Sequence, residues 1–245
     1  MSTHLVGGGR DQDLHRAVYG RFWDEAAEVA SGRGGTVPEV GVVVVHEADD
    51  DGRDDLAWFE AALAASGSVR CRPLPVAEGD RLELAALAGV DGLLVAGGLT
   101  PAYAAALQAA APGVRALVAG GAPYLGFSAG AAVAPGRALV GGYRLAGRLV
   151  TAEDNGEECD ELTVVDGLGL TDLAVDVHAA SWGTVTRLVA AAAAGLVAGG
   201  VAVDEGTVLV LGADRPPRVG GAGRVWWVEP AREGAVRVRL QDAAG

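Results

Sequence analysis

The chain has 245 residues, half of them hydrophobic, with 19 basic against 32 acidic residues and a net charge of -13. That length and apolar content suit one α/β domain spanning 1–245, and the acidic balance argues against a nucleic-acid binder, which needs a basic stripe. All 19 basic residues are arginine; without lysine, a Walker A loop, a Schiff-base lysine and a Ser-Lys dyad are excluded, and arginine cannot replace them because it does not deprotonate near neutral pH.

Strand-like and helix-like segments alternate along the chain. Thr3 to Val6 reads as a short strand ending in Gly7-Gly8-Gly9. Asp13 to Ala30 places Leu14, Ala17, Val18, Phe22, Ala26 and Val29 on one helical face. Val40 to Val45 is an unbroken apolar run but for Gly41, as expected of a strand covered on both faces. The pattern then predicts a helix over Asp54 to Ala65, a strand over Val69 to Val76, a helix over Asp80 to Ala88 and a strand over Gly92 to Ala96. Thr100 to Ala111 is a helix with Pro101 at its first turn, where proline is favoured. Pro123 to Phe127 is a further strand. Beyond it come a polar insert, Thr151 to Glu161, and strands at Leu162 to Val165 and Leu173 to Val177. Ser181 is placed to cap a helix running to about Ala194, and Gly200 to Leu240 reads as successive short strands. The sum is a βαβ pattern: a mainly parallel, doubly wound sheet with C-terminal antiparallel strands. The longest apolar stretch, Leu188 to Val203, is broken by Gly195, Gly199 and Gly200, so no membrane partner is expected. The first nine residues lack the basic and apolar regions of a signal peptide, which points to the cytoplasm.

The densest local signal is Gly126-Phe127-Ser128-Ala129-Gly130, between a buried strand and a helix of small residues. It matches the Gly-x-Ser-x-Gly nucleophile elbow, in which strand and helix backbones pass so closely that a Cβ would collide. Ser128 would stand at the tip, with the Ala129 N–H aimed at an oxyanion. The structural alternative is a tight turn with a capping serine.

In parallel sheets ligands bind at the carboxyl ends of the strands. Gly97-Gly98, Ser128 and His178 all fall on that rim. Of four histidines, only His46 also ends a strand and competes with His178 as a base. The histidines have no zinc-ligand spacing, Cys71 and Cys159 form no disulfide framework, and neither cysteine lies on an elbow. No metal and no cofactor are expected.

Five segments in this order, Gly97-Gly98-Leu99-Thr100-Pro101, Gly126 to Ala131, Gly167-Leu168-Gly169-Leu170, Asp176-Val177-His178 and Val203 to Thr207, together with Leu5 to Gly9, resemble the S51 peptidases, the family of cyanophycinase and aspartyl dipeptidase. The resemblance implies a class I glutamine-amidotransferase-like, flavodoxin-like fold and a serine hydrolase. It implies Ser128 as nucleophile, His178 as base, and an oxyanion hole from the backbone at Gly98 or Leu99 and at Ala129. The family's acid lies after the nucleophile helix and before the histidine. Ala138 to Val150 holds no acid, so Glu153, with Asp154 as the alternative, is expected to orient His178.

The chain departs from the family at substrate-facing positions. Leu99 and Thr100 stand where an acid or amide and a glutamine are usual, and Val177 replaces a glutamine. Trp182 and Thr184 occupy places of substrate-binding arginines, of which only Arg187 remains. Thr100, Trp182 and Arg187 are expected to meet the substrate, a small peptide or isopeptide other than cyanophycin. Two other classes stay open: a catalytically inactive binding or scaffold protein, and a non-peptidase esterase or amidase. A homodimer is also left open.

Overall fold

Short runs of valine and leucine form the centre of the molecule. The computed structural model describes residues 2–47, 49–213, 215–231 and 234–244. The first half supplies strands β1 (Ser2–Val6), β2 (Glu39–His46), β3 (Arg70–Ala77), β4 (Gly92–Val95) and β5 (Tyr124–Phe127). Between and after them lie helices α1 (His15–Gly32), α2 (Arg53–Ala64), α3 (Thr100–Leu107), α4 (Ala111–Ala119) and the single turn α5 (Ala129–Ala132). Next come β6 (Arg137–Gly141), a hairpin of β7 (Arg144–Leu145) and β8 (Arg148–Leu149), β9 (Thr163–Asp166), β10 (Ala174–Val177), α6 (Val185–Ala193) and β11 (Gly200–Val203). The chain closes with β12 (Thr207–Gly212), β13 (Arg215–Gly221), β14 (Arg224–Pro230) and β15 (Val236–Asp242).

The fold is mixed α/β, with a large, mostly parallel central sheet and added antiparallel strands. The central sheet has seven strands in the order β13-β12-β1-β5-β4-β2-β3. Its five first-half strands run parallel, and β12 and β13 continue it antiparallel from β1. A second sheet, β10-β11-β14-β15, pairs β10 and β11 in parallel and then turns antiparallel. Leu5, Val42, Leu94 and Leu125 are fully enclosed in the central sheet, and each buried side chain of this size contributes about 1.5–3 kcal/mol. Among the described residues no helix is long and apolar enough to cross a membrane.

Three local expectations change. The segment Asp80 to Ala88 is helical only over the 3₁₀ turn Leu84–Leu87, because a few apolar anchors between Gly79 and Gly89 hold it to the core. Leu82 and Leu87 are buried, and the Leu82 N–H donates to Ala106 O at 2.9 Å. Helical structure continues past Ala111 as α4, with Pro112 tolerated in its first turn. Ser181 does not cap α6, which begins at Val185; the turn leaving His178 and the left-handed Gly183 (φ 72°) use up the intervening residues.

At the amino end of β1 a polar cluster faces α1. The Ser2 hydroxyl donates to Glu25, His4 Nε2 donates to the same carboxylate at 3.0 Å, and Arg21 meets Glu25 at 3.0 Å. Complete burial holds His4 below its ordinary pKa, against the pull of the Glu25 carboxylate. Burial opposes ionisation of Glu25, but the bonds from His4 and Ser2 and the Arg21 charge outweigh it and hold the carboxyl below its ordinary range. The serine and the carboxylate share one imidazole nitrogen, so this cluster is no proton relay, which needs them on opposite nitrogens. A depressed carboxyl contributes stability above its unfolded pKa and loses it as pH falls through the folded value. Glu25→Ala is therefore expected to cost about 1–3 kcal/mol at neutral pH by removing the charged acceptor of Ser2 and His4, read as a lower urea midpoint. The wild-type advantage should shrink as pH falls below the ordinary carboxyl value of 4.5. An unchanged midpoint at neutral pH would show that the cluster adds nothing net.

Candidate active site

Ser128 joins β5 to α5 with φ 50° and ψ -112°, a conformation an L residue keeps only when its surroundings over-determine it. Its N–H donates to Val6 O at 2.9 Å, and its carbonyl accepts from Ala131 at 2.8 Å and Ala132 at 3.0 Å. The flanking glycines are required by space: a Cβ on Gly126 would lie 2.4 Å from Gly130 O, and one on Gly130 would lie 2.2 Å from Val95 O. Strand β5 therefore passes directly against the helix, and β4 against both. The Ala129 N–H is the first of the helix and has no partner within it. Beside it, the Gly97-Gly98-Leu99 turn leaves β4. The Tyr103 hydroxyl donates to Gly97 O at 3.0 Å and accepts from Val45 N at 3.1 Å, which braces that turn.

His178 ends β10 in a left-handed conformation (φ 54°). Its N–H donates to Gly7 O at 2.9 Å, and its carbonyl accepts from Trp182 N at 3.0 Å. These contacts bring the imidazole across to the central sheet, where Nε2 lies 2.8 Å from Ser128 Oγ. Nδ1 lies 2.7 Å from Glu205 Oε1. The Trp182 indole stacks on the ring with centroids 3.8 Å apart and planes 7° from parallel. His46, the other rim histidine, is bonded through Nδ1 to Glu47 O.

The acid on Nδ1 is thus Glu205, where Glu153 or Asp154 was expected. Those two residues form part of a 3₁₀ turn, Glu153–Asn155, with exposed side chains. The reason is sheet order. Strand β11 lies parallel beside β10 with Val203 opposite Val177, so the residues just past each strand come together at one rim. Glu205 could have been found by the same criterion that singled out His178, a functional side chain just past the carboxyl end of a buried strand.

The expected substrate-facing residues divide. Trp182 is 48 % exposed beside the imidazole. Thr100 is buried, and its N–H donates to Glu157 Oε2 at 2.9 Å. Arg187 is not available to a substrate: it is buried, grips both oxygens of Asp176 at 2.9 and 2.6 Å and donates to Asn155 O at 2.7 Å. Asn155 in turn donates to Trp182 O at 2.8 Å. The ion pair therefore fastens the polar insert and the Trp182 turn to β10. The sequence could not show this, because Asp176 lies on the strand and Arg187 on the helix that packs over it.

Burial pushes the Cys71 thiol up to about 12, so at neutral pH it is no nucleophile. Among the described residues no three histidine, cysteine or acidic side chains are arranged to hold a metal ion. A cleft of about 630 Å³ lies at the opposite end of β1, lined by Ser2, Arg21, Glu25 and Arg218 among others, away from Ser128. Chemically, a hydroxyl on Nε2 and a carboxylate on Nδ1 allow the imidazole to take the serine proton while the acid fixes its tautomer.

No protein-family model matches the sequence, and no curated protein does. Solved structures do match. The chain is 17 % identical to a peptidase from an acI-B1 Actinobacterium, with a TM-score of 0.62 over 100 % of this chain and 95 % of that one. It is 13 % identical to a putative peptidase E protein from Listeria monocytogenes EGD-e, with a TM-score of 0.53 over 91 % of this chain and 98 % of that one. At these identities the likeness is one of fold.

Gly8 tests the construction of the site. A Cβ there would lie 2.1 Å from His178 Cε1, and Gly8 has φ 96°. Gly8→Ala is expected to leave the sheets intact but push the imidazole out of reach of Ser128. A crystal structure of the variant that keeps the 2.8 Å contact would contradict this account.

Proposed function

We propose that the protein is a serine hydrolase of the S51 peptidase type acting on a small peptide-like substrate. The observation that carries this reading is the hydrogen-bond chain from Ser128 Oγ through His178 to Glu205. In this reading Ser128 Oγ attacks the scissile carbonyl while His178 Nε2 takes its proton. The imidazolium then gives that proton to the departing amine. Water hydrolyses the acyl-enzyme, again with His178 as base. Glu205 stabilises the imidazolium and holds the tautomer. The N–H groups of Ala129 and of Gly98 or Leu99 receive the oxyanion, each donor of this kind being worth about 3–4 kcal/mol.

The likeness of fold to two peptidase structures supports the choice of reaction class. Cyanophycin is not the proposed substrate. Its recognition in the family uses arginines after the histidine, and here Trp182 and Thr184 replace two of them while Arg187 is committed to Asp176.

A fluorophosphonate probe tests the reading directly. The wild type should be labelled at Ser128 and Ser128→Ala should not. Glu205→Gln should slow labelling and peptide hydrolysis by about 10²–10⁴, the scale of losing a triad acid. Glu153→Gln and Asp154→Asn should be indistinguishable from wild type. Absence of labelling in the wild type would overturn the proposal in favour of a non-catalytic binding protein.

A further inference from the structure

The His178 imidazole is held by more than its two nitrogens. Gly8 backs its Cε1 edge, where a Cβ would lie 2.1 Å away, and the Trp182 indole covers one face, with centroids 3.8 Å apart and planes 7° from parallel. That spacing is van der Waals contact between the rings. The backbone that carries the indole is itself fixed. The Trp182 N–H donates to His178 O at 3.0 Å, and the Trp182 carbonyl accepts from Asn155 Nδ2 at 2.8 Å. Asn155 O accepts from Arg187 Nη1 at 2.7 Å, and Arg187 grips Asp176, two residues before His178. These contacts close a circuit, Asp176–Arg187–Asn155–Trp182–His178, that starts on β10 and returns to its end. Of the five members only Trp182 is exposed, at 48 %.

The stack answers a need of the relay. The imidazole turns about Cβ–Cγ, a torsion with a broad intrinsic preference, so its orientation comes from its neighbours. In the acyl-enzyme Ser128 Oγ is bonded to the substrate carbon and carries no proton, so serine no longer donates across the 2.8 Å contact to Nε2. Glu205 on Nδ1 then holds the ring by one hydrogen bond, from a side chain that is 37 % exposed. At that stage Nε2 must still face the water it activates. Rotation about Cβ–Cγ would carry ring atoms out of their plane and into the indole. The stack therefore keeps the plane of the ring when the serine cannot.

We propose that Trp182 is a positioning residue of the relay: it acts through His178, holding the imidazole plane while Ser128 is acylated, and not through contact with the substrate. This rests on the hydrolase reading above. An interaction that serves the reacting group and not the bound substrate appears in kcat and leaves KM alone.

Two arms test it. The first needs no turnover: crystal structures of Ser128→Ala, Ser128→Ala/Trp182→Ala and Ser128→Ala/Trp182→Phe, in which the serine bond to Nε2 is absent. In Ser128→Ala the imidazole should keep its plane against Glu205. With Trp182→Ala added it should rotate about Cβ–Cγ or divide between orientations, and with Trp182→Phe, which can still stack, it should return to one. An unmoved imidazole in Ser128→Ala/Trp182→Ala overturns the proposal whatever fluorophosphonate labelling shows. The second arm measures hydrolysis of peptides of unlike size. Trp182→Ala should lower kcat by about ten- to a hundredfold, the scale of a misplaced catalytic group, with KM unchanged or lower for every peptide. Trp182→Phe should recover most of the loss. A raised KM at unchanged kcat, differing from peptide to peptide, overturns the proposal and makes Trp182 a substrate wall. If the wild type is not labelled at Ser128, the hydrolase reading fails and the crystal structures alone decide whether Trp182 holds the ring.

Discussion

The site depends on a backbone without side chains at Gly7 and Gly8. There the central sheet and the second sheet meet more closely than any other residue type allows. A Cβ on Gly7 would fall 2.2 Å from Asp204 O, and one on Gly8 would fall 2.1 Å from His178 Cε1. Through that gap the His178 N–H reaches Gly7 O, the Gly7 N–H donates to Thr207 O at 3.0 Å and the Gly206 N–H donates to Gly8 O at 2.8 Å. Serine comes from one sheet and histidine and glutamate from the other. The chain Ser128–His178–Glu205 therefore exists only because the two strand ends are drawn together at these glycines.

The same docking sustains backbone strain. Ser128 and His178 both have positive φ, and such residues cost about 1–3 kcal/mol each unless the surroundings compensate. The compensation is visible. Both are tied to the end of β1, Ser128 through Val6 O and His178 through Gly7 O. The residue after His178 is tied in turn to β11, Ala179 N–H donating to Val203 O at 3.1 Å. Strain at these two residues is thus borne by hydrogen bonds to the end of β1 and to β11, which orients both side chains before any ligand arrives.

A second layer holds the outer wall. The Arg187–Asp176 pair is buried under the site, and breaking a buried pair from one side usually costs several kcal/mol, about 3–5. Through Asn155 it links α6, β10, the polar insert and the Trp182 turn. An arginine that the family resemblance assigns to the substrate here serves the frame. The polar insert exposes most of its acidic side chains but turns one carboxylate, Glu157, inward to the Thr100 N–H.

The sequence by itself determined the features whose causes are local. Alternating apolar runs and helical periodicity set the α/β class and most of the strands. The elbow at Ser128 was legible because glycines two residues to either side, a strand before and a helix after, specify a turn within one short segment. His178 was legible as one of two rim histidines in a chain without lysine. Only the tertiary structure brought His178 rather than His46 against Ser128, put Glu205 on its other ring nitrogen and turned Arg187 inward. Each of these depends on contacts between segments far apart in sequence: Ser128 to His178 across 50 residues, His178 to Glu205 across 27, Arg187 to Asn155 across 32. Periodicity reports which face of an element is buried, but not which element lies beside it. Strand order and the register of β10 against β11 supply that, and they follow from the packing of the whole chain.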